Sequence, residues 1–204
     1  DIDRSRGLGD VYKRQLEDFS MGAEYDRYEW LDGDLDSEEL EWNVIGLRTL
    51  EGDYLGFEVE FEGEILRESF EIIDALVVPV DEYRGIDFDL EFRSSSDRSV
   101  FGEIELSYGD YYGGSSTRGE IELSWRPSRF LQLDCEIEST LARLPQKDFE
   151  VLTGSLGLRV TPTTQLSFNG IAQYDNQSET IGVNCRIRYI SQAGSDVFLV
   201  LNNG

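Results

Sequence analysis

The chain has no histidine, two cysteines and one methionine among its 204 residues. Without an imidazole there is no Ser-His-Asp or Cys-His arrangement, so hydrolysis of those designs is excluded. Cys135 and Cys185 lie in no metal or CxxC spacing and fall on apolar positions, where a thiol behaves as a small hydrophobe. Positive charge is also scarce: 18 Lys and Arg stand against 42 Asp and Glu, a formal charge of −24 that repels nucleic-acid phosphate. No apolar run approaches the ~18–20 residues of a transmembrane helix, and no Gly-rich loop ahead of a helix offers a phosphate cradle. The front carries neither an initiator methionine nor a signal-peptide core, so the chain reads as an internal fragment.

What is present shows in FGEIELSYGDYYGGSSTRGEIELSW, residues 101–125. Side chains of a strand alternate between two faces, so Gly102, Ile104, Leu106 and Tyr108 share one face and Glu103, Glu105 and Ser107 the other. After a Gly-rich break, Gly119, Ile121, Leu123 and Trp125 repeat the apolar face, and Glu120, Glu122 and Ser124 the polar one. This is a β-hairpin with one apolar and one acidic face.

The same period of two recurs from residue 16 onward. Taking every second residue, apolar registers run through Leu40 and Trp42, Leu55 to Phe61, Ile86 to Phe92, Leu131 to Ile137, Leu152 to Val160, Leu166 to Tyr174, Ile181 to Tyr189, and Val197 to Leu201. With a strand at 18–29, the pattern predicts an all-β antiparallel up-and-down meander of about eleven strands and no helix. Residues 1–15, DIDRSRGLGDVYKRQ, differ in composition: four basic residues stand against three acidic ones, and DVYKRQ resembles the translation of a sequencing adaptor. That leader is expected to be non-native or disordered, and 16–204 to form one β domain.

The connections carry a second pattern. RPSR (126–129), TPTT (161–164) and SQAGS (191–195) are short, whereas GDYYGGSSTR (109–118), STLARLPQKD (139–148) and DNQSE (175–179) are mostly longer or more polar. Tight turns at one rim and exposed loops at the other belong to a transmembrane barrel more than to a soluble sandwich. Tyr108 and Tyr174 end upward strands on the apolar register, and Trp125 and Tyr189 end downward ones. So placed, they would form the aromatic girdles of two membrane interfaces. The plainer explanation is that aromatic residues are good strand formers.

YGDYYGG (108–114), SWRPS (124–128), LARLPQKDF (141–149), AQYDNQS (172–178) and NCRIRYISQAGSDVFLVLN (184–202) together resemble the C-terminal barrel region of an uncharacterised family of bacterial outer-membrane proteins. Full-length members of that family carry an N-terminal carbohydrate-binding-like module of family nine. The resemblance covers roughly residues 40–204 and implies a location in the bacterial outer membrane, with lipid as partner and a non-catalytic role linked to carbohydrate or small-solute handling. Two departures stand out: that module is absent, and the chain stops at LVLNNG without a terminal aromatic strand. The expectation is a barrel fragment truncated at both ends, curved but not closed.

If the apolar register meets lipid, the polar register faces a lumen whose charges are unevenly spread. Glu58, Glu60, Asp87, Asp89, Glu91, Glu103, Glu105, Glu120, Glu122, Asp134 and Glu136 make an acidic wall. Arg159, Asn169, Gln173, Asn184, Arg186 and Arg188 make a smaller basic and polar one. Directly opposed like charges repel, and an unpaired buried carboxylate costs several kcal/mol, so the acidic wall must be wet, salted or faced by arginine. Such a wall would favour cations or sugars in a channel; a solvated face suited to a salty habitat explains it as well.

Other constellations are weaker. Glu103 and Glu105 could be drawn as a glycosidase acid and base, but two residues on one face of a repeated pattern read more simply as lining. NQS (176–178) fits a glycosylation acceptor by chance, and YYGGSSTR offers Tyr111 and Tyr112 to a sugar or is a surface loop. Neither cofactor nor metal is expected. The alternative fold is a soluble β-sandwich lectin, which would bury Ile104 and Ile121 between two sheets.

Overall fold

A computed structural model describes residues 16–203 except 74, 75 and 193, so the 1–15 leader lies outside the described residues. The described residues hold no helix and thirteen strands: β1 (Leu16–Glu29), β2 (Leu35–Thr49), β3 (Tyr54–Ile65), β4 (Phe70–Ile73), β5 (Leu76–Val78), β6 (Glu82–Arg93), β7 (Val100–Tyr111), β8 (Gly114–Ser128), β9 (Leu131–Arg143), β10 (Asp148–Val160), β11 (Leu166–Asp175), β12 (Thr180–Gln192) and β13 (Ser195–Asn203). Eleven of them form one antiparallel up-and-down sheet in the order β1-β2-β3-β6-β7-β8-β9-β10-β11-β12-β13, which is not closed. The short strands β4 and β5 pair with each other in the connection between β3 and β6. The chain divides into two compact units, residues up to 94 with 105–118 and 141–149, and residues 95–104 with 119–140 and from 150 on.

Registers follow the alternation where it is unbroken and shift where it breaks. From β3 to β6 the pairing runs without interruption, with Phe57 opposite Leu90 and Val59 opposite Phe88. In β2, Asn43 pairs with Glu58 but Ile45 pairs with Phe57, so Val44 is an extra residue. This β-bulge moves the apolar register from Leu40 and Trp42 to Ile45 and Leu47, which is why EWNVIGL breaks a simple period of two.

The expected contrast between short and long connections is not found. β7 and β8 extend through most of 109–118 and leave the two-residue turn Tyr112–Gly113, with φ of 44° and 78°. Two successive positive φ values match the twist of the flanking strands, and Gly113 adopts its value without steric cost. β9 and β10 likewise consume much of 139–148, leaving 144–147. β8 runs through GSSTR (114–118), where no apolar residue alternates, so polar composition did not end the strand. The longest described connection is 66–81, which contains β4 and β5.

Burial is inverted relative to a soluble sheet. Along β6, Ile86, Phe88, Leu90 and Phe92 are 38–43% exposed, while Asp87, Asp89 and Glu91 between them are only half-buried. Ile104 and Ile121 are 40% and 49% exposed. The sandwich alternative required them to be covered by a second sheet, and it is overturned. Buried apolar side chains among the described residues are few: Val59, Leu76, Val78, Ala142 and Leu144.

Candidate functional site

In the first unit, the antiparallel register lines acids up across strands. Glu24, Glu41, Glu60 and Asp87 are successive cross-strand partners on β1, β2, β3 and β6. Asp26, Glu39 and Glu62 form the next row, and Asn43, Glu58 and Asp89 the row on the other side. Four expected wall residues of β3 and β6 thus stand in direct opposition, and Glu24, Asp26, Glu39 and Glu41 join them. Gly109 makes room at the edge of this lattice: a Cβ there would overlap the Asp87 carboxylate.

Each end of the acidic face is finished by tyrosine. Tyr54 stands opposite Arg48 on one side and Arg93 on the other, with the guanidinium carbons 5.5 and 6.0 Å from its ring centroid. The ring lies over Gly56, where a Cβ would come 2.8 Å from the tyrosyl oxygen, and its hydroxyl reaches toward the paired Gly46. Beside it, Asn43, Glu58, Asp89, Glu91, Glu105 and Ser107 help line a cavity of about 190 Å³. The Asn43 Oδ1 is buried there without a hydrogen-bond partner among the described residues.

At the other end, the Tyr112 hydroxyl donates to Glu64 Oε2 at 3.1 Å. Its ring meets Phe70, Tyr83 and Tyr111 edge-on, with centroids 5.3, 5.1 and 4.8 Å away. Burial pushes the Tyr112 hydroxyl above its ordinary pKa, and the Glu64 charge adds to this. The reading of Tyr111 and Tyr112 as a flexible surface loop is therefore corrected: Tyr111 ends β7 and Tyr112 opens a tight turn, with the Tyr112 ring packed against Tyr111 and against Phe70 of β4. Nearby, Arg67 donates to Asp32 at 2.7 Å and to Asp34 at 3.0 Å while lying 4.8 Å from the Trp30 ring centroid. The hydrogen bond from Arg67 holds the Asp32 carboxyl below its ordinary pKa.

The second unit carries acids on β9 and arginines with amides on β10, β11 and β12. Asp134 Oδ1 accepts from Ser124 at 2.6 Å and Gln132 at 2.8 Å, and Glu136 accepts from Ser155 at 3.2 Å. Glu120, Glu122 and Glu136 bring one carboxylate oxygen each within 4.8 Å of the others, a hard donor set of the type that Ca²⁺ accepts, on an exposed face. Arg159, Asn169 and Arg186 are successive cross-strand partners, Gln173 faces Gly182, and Asn184 donates to Asn202 at 2.6 Å. Arg188 pairs with Asp196 at 2.6 Å, and the Arg186 guanidinium lies 4.4 Å from the Phe198 ring centroid.

The four expected girdle residues are all exposed on the apolar register: Tyr108, Trp125, Tyr174 and Tyr189. On the β11–β12 pair, Tyr174 stands next to the last residue of β11, and Tyr189 faces Leu166, the first. The Tyr54 platform, the orphan Asn43 oxygen and Phe198 were not foreseen. The one available signal was the repeated Gly on the polar register, Gly46 and Gly56, which marks space for a neighbouring ring. No protein-family model matches the chain, and no curated protein or solved structure matches it.

Proposed function

We propose that this chain is the wall of a bacterial outer-membrane β-barrel, non-catalytic, with its apolar register against lipid and its acidic register against a water-filled lumen that favours cations and small neutral solutes over anions. The observation that carries the reading is the Ile86–Phe92 stretch of β6, where Ile86, Phe88, Leu90 and Phe92 are half-exposed large hydrophobes and Asp87, Asp89 and Glu91 between them are acids. In water, a continuous exposed apolar face marks a surface that another apolar partner or lipid covers. In lipid it needs no protein cover. The acids require the opposite medium, since removing an unpaired carboxylate from water costs several kcal/mol. β6 has 12 residues, more than the ~9–11 that a tilted strand needs to cross the hydrocarbon. A field of one sign along the polar face concentrates cations and repels anions.

The test is lipid contact. Single-tryptophan variants retaining Trp42 or Trp125 are folded into vesicles containing lipids brominated along the acyl chain. Both are expected to be quenched, and water-borne acrylamide is expected to leave them largely unaffected. A protein that stays monodisperse without detergent and shows no bromine quenching would overturn the assignment.

A further inference from the structure

The polar face of the second unit changes sign along its length. From Arg159 to Gln192 the chain has three arginines, Arg159, Arg186 and Arg188, and two acids, Asp175 and Glu179. Both acids lie at one end of their strands, since Asp175 closes β11 and Glu179 immediately precedes β12. Toward the other end, Arg159 on β10, Asn169 on β11 and Arg186 on β12 are successive cross-strand partners, and Arg188 shares the face of Arg186. With strands ~4.8 Å apart and same-face residues ~7 Å apart, the three arginine positions fall within about 12 Å of one another. β10, β11 and β12 each have a strand on both sides, so this grouping does not depend on where the sheet ends.

The positive charges are unevenly met. Asp196 Oδ2 accepts from Arg188 Nε and Nη2 at 3.0 and 2.6 Å, which neutralises that guanidinium. Among the described residues, no carboxylate pairs with Arg159 or Arg186, in a chain of 42 acids. Asp134, whose Cβ lies 3.5 Å from where a Cβ on Gly157 would stand, is held instead by Ser124 and Gln132. Phe198, an aromatic residue on the polar face, serves both arginines of β12: its ring centroid is 4.4 Å from the Arg186 guanidinium carbon and 5.9 Å from that of Arg188. A guanidinium resting on a ring keeps its N–H edge available to a bidentate acceptor and loses little freedom on binding one.

We propose that Arg159, Asn169 and Arg186 form a binding site for a phosphoryl group, which goes beyond the cation preference of the acidic face. Two guanidinia with the Asn169 amide between them make a donor-rich set. Their two uncompensated charges match a phosphate dianion better than a singly charged carboxylate, and each planar fork can engage two of its oxygens. A soluble phosphate and a phosphorylated lipid headgroup present the same chemistry.

Calorimetric titration of the maltoside-solubilised chain with inorganic phosphate, at mildly alkaline pH and physiological ionic strength, is expected to show one site per chain. Acetate is expected to bind at least tenfold more weakly. Arg159→Gln and Arg186→Gln should each weaken phosphate binding at least tenfold with unchanged strand content by circular dichroism. Arg186→Lys keeps the charge, loses the fork, and should fall between Arg186→Gln and the parent. Arg126→Gln removes the same charge from elsewhere in this unit, where Arg126 lies 4.3 Å from the Phe101 ring centroid, and should leave the affinity within twofold. Dihexanoyl phosphatidic acid separates the sources: tighter binding than inorganic phosphate, lost in Arg159→Gln, assigns the site to a lipid headgroup, and equal or weaker binding assigns it to a soluble phosphate. No heat at millimolar phosphate, equal affinity for acetate, or an Arg126→Gln loss as large as that of Arg159→Gln overturns the proposal. These results are read in detergent and leave lipid contact at Trp42 and Trp125 untouched, so the membrane reading stands or falls separately.

Discussion

Glu60 on β3 stands directly opposite Asp87 on β6, with Glu41 as its other cross-strand partner and Glu24 beyond that. Opposed like charges on neighbouring strands destabilise a pair by roughly 0.2–1 kcal/mol. Asp87→Asn is therefore expected to raise stability by about that amount at low ionic strength, measured by urea unfolding in detergent. The gain should shrink in molar salt, where the Debye length falls to ~3 Å. Equal unfolding midpoints for the two proteins at low salt would show that the row is already neutralised.

Leu123 and Glu122 are neighbours on β8 with side chains on opposite faces, Leu123 being 49% exposed. If the apolar register meets lipid as proposed, Leu123→Arg is expected to cost about 2–4 kcal/mol in a bilayer, the cost of a cation on a lipid face near mid-depth. Glu122→Gln on the polar face is expected to leave stability nearly unchanged. Equal tolerance of the two in reconstituted protein would remove Leu123 from the lipid interface.

Tyr54 and Gly56 are expected to be energetically coupled. A Cβ on Gly56 would come within 2.8 Å of the tyrosyl oxygen and 3.0 Å of Cε1, so Gly56→Ala must displace the ring. Overpacking of this kind costs roughly 1–3 kcal/mol. In a double-mutant cycle, Tyr54→Ala should relieve most of that cost. Additive effects would mean that the ring does not rest on the glycine.

Asp32 titrates below its ordinary value because Arg67 hydrogen-bonds to its ionised form. For a depressed carboxyl, the stabilising contribution is complete above the ordinary pKa and is lost as pH falls through the folded-state value. In a Trp42→Phe, Trp125→Phe background, Trp30 emission is expected to shift at acid pH, below the usual carboxylate range, as Arg67 loosens from Asp32 and from the ring. Asp32→Asn should abolish this step. An unchanged titration in that variant would detach Trp30 from the ion pair.

Some of this was open to direct reading and some was not. Ile86–Phe92 and Ile104–Leu106 announce their strands and faces, because alternation is a property of a few consecutive residues. FEII and LVV, the β4 and β5 strands, are too short for the pattern to rise above chance. The 109–118 stretch looked like a loop by composition, yet the Tyr112–Gly113 backbone turned it into a hairpin end.

The amino-acid order by itself determined where the eleven strands of the large sheet lie, which residues share a face, and that one face is acidic while the other is apolar. Only the tertiary structure decided which acids oppose one another and that Tyr54 covers Gly56. The physical reason is that side-chain period belongs to one strand alone, whereas register belongs to a pair and is set by turn length and by single inserted residues such as Val44.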